Sequence, residues 1–180
     1  LPARENGRQN GRLPEREVIR AAILTISDSA FGGRREDGSG PALAERVREH
    51  GWEVVLTAVL PDEPEMIAQK LAEIADGRQA ELILTTGGTG IAARDNTPEA
   101  ARRVFEREVA GFGELMRAKG REHTPLAALS RSLAGTRGRT LIVCLPGSPR
   151  GAVEAFDAIA ALAPHAVALL GGETAHGRTP

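Results

Sequence analysis

The sequence predicts an α/β protein: a single three-layer domain with a mostly parallel sheet and helices on both faces. Three observations predict it. Short apolar runs recur along the chain, each closing on a polar or glycine-rich turn. These runs are continuously apolar instead of alternating, as strands buried on both faces are. Segments with helical periodicity separate them, and strand–helix alternation places successive strands parallel. At 180 residues the chain fits one domain, able to bury about 70% of its unfolded surface.

Residues 1–17 (LPARENGRQNGRLPERE) are polar and aperiodic. Arg4, Arg8, Arg12 and Arg16 recur every four residues, but Gly7, Gly11 and Pro14 oppose a helix there. The segment reads as a disordered N-terminal tail, leaving 18–172 as the domain and 173–180 as a C-terminal tail. Ile19 to Ile26 is the first strand, followed by a polar, glycine-rich loop. Ser39 reads as the cap of the first helix, with Pro41 in its first turn and Gly51 at its end. Trp52 to Leu60 is the second strand, stopped by Pro61. Asp62 reads as the next cap, with Pro64 and Glu65 in the first turn and Ile67, Leu71 and Ile74 as the apolar stripe. Glu81 to Thr86 is the third strand, running into Gly87–Gly90. Thr97-Pro98-Glu99 opens a helix bearing Val104 and Phe105. Val109 to Arg131 reads as a helical insertion broken by Gly111, Gly113, Gly120 and Pro125. Arg139 to Leu145 is the fourth strand, and a long helix follows Pro149, kinked by Pro164.

Composition removes several function classes. The formal charge is −1, from 23 basic and 24 acidic side chains, so the basic excess of a nucleic-acid binder is missing. No apolar run approaches the roughly 20 residues of a membrane span, and no signal-like segment opens the chain. Cys144 is the single cysteine, which rules out an internal disulfide or a cysteine zinc site. His50, His123, His165 and His176 are scattered rather than spaced for a metal. The expectation is a cytoplasmic domain with no nucleic-acid or membrane partner.

The four strand ends share a chemistry. They close on Ser27-Asp28-Ser29, Pro61-Asp62, Thr86-Gly87-Gly88-Thr89-Gly90 and Pro146-Gly147-Ser148. In a parallel sheet all four emerge on one edge, where ligands bind. Hydroxyls, free N–H groups and carboxylates together suit a phosphate-bearing ligand and its metal ion. Each also has a plainer reading. Gly87–Gly90, with the Thr89 hydroxyl, admits an anion or is only a tight turn. Asp62 and Asp95 hold magnesium or serve as caps and turn acids. Ser130-Arg131 grips an anion or ends a helix in solvent. Ser148 with Arg150 opens a helix whose positive end favours phosphate. Gly88–Ala93 also fits the dinucleotide pattern G-x-G-x-x-G/A, although it follows the third strand and Pro98 delays the helix. A nicotinamide-dependent oxidoreductase built on it needs a ribose-binding acid about 20 residues on, in a stretch that reads as helix with Glu106 and Glu108.

Leu84 to Gly90 followed by Arg94-Asp95-Asn96-Thr97-Pro98-Glu99-Ala100 resembles the signature of the MogA/MoaB-type molybdenum-cofactor proteins, the family that includes the gephyrin G domain. Thr25–Ser29, Glu36–Gly40, Leu60–Glu63, Leu129–Arg131 and Leu145–Ser148 match in family order, covering about residues 20 to 170. The resemblance implies molybdopterin adenylylation with Mg2+ and ATP, releasing pyrophosphate. It implies that Asp62 and Asp95 organise magnesium and the reacting phosphates as catalytic and metal-binding residues. Ser27, Asp28, Ser29, Gly87, Gly88, Thr89 and Gly90, with Ser130, Arg131, Pro146, Gly147 and Ser148, take the ligand-binding positions. It further implies a homotrimer or a dimer of trimers, and a molybdenum insertase as partner. The alternative within the family is a catalytically silent molybdopterin-binding protein.

Overall fold

In the computed structural model, which describes residues 18–172, the first apolar run forms β1 (Arg20–Ile26), with its last six residues buried. The tails expected at 1–17 and 173–180 lie outside the described residues. A one-turn helix α1 (Asp28–Phe31) and the helix α2 (Ser39–Glu49) lead to β2 (Glu53–Leu60). Then come α3 (Pro64–Asp76), β3 (Leu82–Thr86), α4 (Thr97–Arg102), β4 (Arg107–Glu108), α5 (Ala110–Arg121) and a 3-10 turn (Pro125–Leu129). The order closes with β5 (Leu133–Arg137), β6 (Thr140–Leu145), α6 (Pro149–Ala160) and α7 (Ala163–Gly171).

The sheet order is β2-β1-β3-β6-β5-β4. The first four strands are parallel, and β5 and β4 add antiparallel at one edge. The mostly parallel, three-layer architecture is thus present, with two more strands than the sequence indicated. Strand periodicity divides the core between the two faces. Ala21 and Ile23 of β1 pack with Leu43, Val47, Phe112, Phe156 and Ile159, the side of α2, α5 and α6. Ala22, Leu24 and Ile26 pack with Ile67, Leu71, Ile74 and Ala101, the side of α3 and α4.

Four local expectations change. The stretch 109–131 is helical and breaks ahead of Pro125 as expected, but not at its glycines: α5 runs through them, and a Cβ at Gly120 would stand 2.8 Å from the Ala127 Cβ, so that glycine serves packing. The stretch around Glu106 and Glu108, expected as helix, is a bend followed by β4, and Glu108 pairs with Arg102. Ser39 does not cap α2. Gly38 holds that position, and the Asp37 carboxylate accepts from the Ser39 and Gly40 N–H groups at 3.1 and 3.0 Å. Nor does Asp62 cap α3, whose N-cap is Glu63 without a side-chain bond. Pro164 acts as expected: it lies in the first turn of α7, which bends 60° from α6. Among the described residues no single helix is long and apolar enough to cross a membrane.

Candidate active site at the carboxyl ends of the parallel strands

β1, β2, β3 and β6 release their chains on one edge, and a cleft of about 340 Å³ opens there. Its wall includes Thr25, Ser27, Asp37, Asp62, Thr86, Gly87, Gly88, Asp95, Gly147 and Ser148. The glycines are required by close approach. Gly87 and Gly88 have φ of 108° and 64°, and a Cβ on Gly87 would stand 2.2 Å from the Ile26 carbonyl oxygen. A Cβ on Gly147 would stand 3.1 Å from the Gly87 Cα, so the ends of β3 and β6 meet backbone to backbone. The N–H groups of Gly88, Thr89, Gly147 and Ser148 donate to no other described residue. Unspent backbone donors of this kind form an anion cradle. Ser148 caps α6, accepting from the Gly151 N–H at 3.1 Å, and the positive end of that helix adds to the cradle.

Asp62 is held by Asp28 in a reciprocal pair. The Asp28 N–H donates to Asp62 Oδ2 at 2.8 Å, and the Asp62 N–H donates to Asp28 Oδ1 at 3.0 Å. Arg94 fastens Asp28 from outside, through Nε to Oδ2 at 2.6 Å, and also reaches Glu63 at 2.9 Å. The Arg94 hydrogen bond, with help from the Asp62 N–H, keeps the Asp28 carboxyl below the usual carboxylate range. Asp62 goes the other way. Burial pushes its carboxyl up against the bond from the Asp28 N–H, and the charges of Asp28 and Asp95 push in the same direction as burial. The second oxygen, Oδ1, lies 3.2 Å from where a Gly88 Cβ would be, directly over the cradle.

Asp95 serves as a turn acid and faces the cleft. Oδ2 accepts from the Ala92 N–H at 2.8 Å, forming the turn, and the residue also lines the cleft. Among the described residues no three His, Cys, Asp or Glu side chains group to hold a metal. Two carboxylates with phosphate and water oxygens nevertheless make the all-oxygen donor set that a hard cation such as Mg2+ takes. Burial lifts Asp62 first, and the smaller push from the neighbouring acid charges is what such a cation would relieve.

Residues 22–165 match the family described as "Probable molybdopterin binding domain". The chain belongs to this family. It is 39% identical over 158 residues to molybdopterin adenylyltransferase of Helicobacter pylori strain 26695, covering 87% of this chain and 90% of that one. It is 42% identical over 158 residues to the molybdenum cofactor synthesis protein cinnamon of Drosophila melanogaster, but that match spans 26% of the longer protein. Among solved structures, the molybdopterin biosynthesis enzyme MoaB of Thermus thermophilus superposes with a TM-score of 0.82 at 49% identity, covering 87% of this chain and 98% of that one.

Within this molybdopterin-binding domain the expected site residues separate into two groups. Ser27, Asp62, Gly87, Gly88, Asp95, Gly147 and Ser148 share the cleft wall. Ser29 joins Ser27 through a hydroxyl contact of 3.1 Å, and Asp28 acts on the cleft through Asp62. The buried Thr89 turns its hydroxyl towards the Leu145 carbonyl, 3.5 Å away, and the Pro146 carbonyl accepts from the Thr86 hydroxyl at 2.7 Å. Ser130 pairs with Ser132 at 2.9 Å. Arg131 clasps its own chain: it donates to the Gly90 carbonyl at 2.7 Å, to the Asp95 carbonyl and to the Glu99 carboxylate. Its N–H groups thereby fix both ends of the loop that carries Asp95. Neither Ser130 nor Arg131 lines the cleft.

Asp37 was not singled out from the sequence as a site residue, yet it lines the cleft and holds the Thr25 hydroxyl at 2.7 Å. The signal was present in Glu36-Asp37-Gly38-Ser39-Gly40, an acid two residues ahead of a helix start. The dinucleotide-like pattern Gly88–Ala93 leads into a loop, since α4 starts only at Thr97.

Proposed function

We propose that this chain transfers the adenylyl group of ATP to the phosphate of molybdopterin, with Mg2+, at the cleft described above. The observation that carries the reading is the position of the Asp62 carboxylate over the unspent N–H groups of Gly88 and Gly147, with Asp95 on the same wall. A phosphate oxygen of the pterin attacks the α-phosphorus, a new P–O bond forms, and the bond to the β-phosphate breaks to release pyrophosphate. The attacking phosphate is already ionised near neutral pH, so no strong base is needed, and catalysis rests on positioning and charge neutralisation.

The residues divide that work. The Gly87–Gly90 and Gly147–Ser148 backbones bind and orient phosphate oxygens. Asp62 Oδ1 and Asp95 would hold Mg2+, which when bound neutralises phosphate charge. Arg131 keeps the Asp95 loop in place from behind. The same reading expects a homotrimer or a dimer of trimers, and a molybdenum insertase that consumes the adenylylated product. Asp62→Ala and Asp95→Ala test it: each should abolish pterin-dependent pyrophosphate release while pterin binding persists. Ordinary turnover in either variant refutes the assignment.

A further inference from the structure

A second, larger cavity of about 1030 Å³ lies at the opposite edge of the sheet, where β1, β3 and β6 begin. This is the upper end of the range for small-molecule sites, and adenylyl transfer makes no use of it. One wall is α7, and Trp52 and His165 supply aromatic surface. Trp52 is held in place, edge-on to Phe156 at 5.6 Å and tilted against His50 at 5.5 Å. The charges are unbalanced. Arg20 and Glu81 neutralise each other through a hydrogen-bonded ion pair. Arg78 and Arg139 also line the cavity, and neither forms an ion pair with a described residue. Arg139 gives one N–H to the Gly171 carbonyl at 3.0 Å and keeps its remaining donors.

Arg78 adds an independent observation. It is the one described non-glycine residue with positive φ, 51°, just past the end of α3, where glycine would sit without strain. Arg20 Nη2 pins its carbonyl at 3.2 Å, so the strained backbone is held at the cavity wall. Strain held in this way at a concave, cationic surface points to function.

We propose that this cavity is a second ligand site for a small aromatic anion of mononucleotide size. Its ring lies against Trp52 and His165, and its phosphate or carboxylate sits between Arg78 and Arg139. Aromatic stacking and forked guanidinium donors are the two interactions such a ligand uses. The proposal stands whether or not the adenylyl-transfer reading does.

Trp52 is the sole tryptophan and the chain has no tyrosine, so its fluorescence reports on this cavity alone. Titration with AMP should give a saturable change in that emission. Arg78→Ala combined with Arg139→Ala should weaken the apparent affinity by about tenfold or more. Gly88→Val, which obstructs the first cleft, should leave the response unchanged. Arg78→Gly separates ligand binding from folding, because it should weaken AMP binding while raising the melting temperature. A flat titration, wild-type affinity in the double variant, or loss of the response in a Gly88→Val protein that circular dichroism shows to be folded would each overturn the proposal.

Discussion

Gly88→Ala is the substitution whose effect follows most directly from the geometry. Gly88 has φ of 64°, a conformation that costs an L-residue roughly 1–2 kcal/mol. The added methyl would stand 2.3 Å from Thr97 Oγ1, which donates to the Gly87 carbonyl at 2.9 Å. The neighbour is a side-chain atom, so Thr97 can rotate away, at the loss of that buried hydrogen bond, about 1 kcal/mol. The sum, roughly 2–3 kcal/mol, corresponds to a fall in melting temperature of roughly 4–12 °C for a domain of this size. The methyl also sits 3.2 Å from Asp62 Oδ1, in the space a phosphate oxygen would take. Thermal unfolding followed by circular dichroism gives the first quantity, and calorimetric titration with ATP gives the second, expected to weaken at least about tenfold. Gly87→Ala should destabilise more, because its Cβ meets the backbone oxygen of Ile26 at 2.2 Å and nothing there can rotate. Unchanged melting temperature and unchanged ATP affinity in Gly88→Ala would refute the close-approach account and reduce the loop to a turn.

Three other outcomes follow from the same structure. Arg131→Met removes the clasp on Gly90, Asp95 and Glu99 and should lower stability by about 2 kcal/mol, after discounting for partial exposure, in a denaturant titration; a loss of pterin affinity at unchanged stability would instead place the guanidinium on the ligand. Glu81 is pushed up by burial, but the hydrogen bonds from Arg20 outweigh this and leave its carboxyl below the ordinary range. The stability it contributes is therefore present above the ordinary glutamate range and lost as pH falls through the lowered folded value, so Glu81→Gln should cost about 1 kcal/mol at neutral pH and progressively less in acid. Chelation with EDTA should stop pyrophosphate release and leave thermal stability unchanged, since Asp62 is positioned by Asp28 and Asp95 by the Ala92 N–H rather than by a metal; a large fall in melting temperature would show a structural metal instead.

The four parallel strands were legible because each is a buried apolar run ending in a turn signal, and their shared edge followed from alternation alone. β5 was not legible. Leu133-Ala134-Gly135-Thr136-Arg137 is short and rich in small residues, and its strand character comes from a tight hairpin with β6 across Gly138-Arg139 and from the long-range packing of Phe105 on Gly135. The two catalytic candidates show the same limit. Spacing placed Asp62 and Asp95 at the right edge but left open whether they were caps. The structure resolves this for Asp62 through Asp28, a partner 34 residues away in sequence. Asp37 was hidden because Ser39 offered an equally good local cap, and only the Thr25 contact from β1 brings the acid into the cleft wall. The side chain of Arg131 could not be assigned from sequence, since its three acceptors come from the distant segment 90–99.

The central claim is chemical. Purified protein incubated with molybdopterin, ATP and magnesium, then analysed by mass spectrometry, should yield adenylylated molybdopterin and one pyrophosphate per pterin consumed. Bound but unmodified pterin, with ATP intact, would contradict the account and leave the cleft a binding site without a reaction.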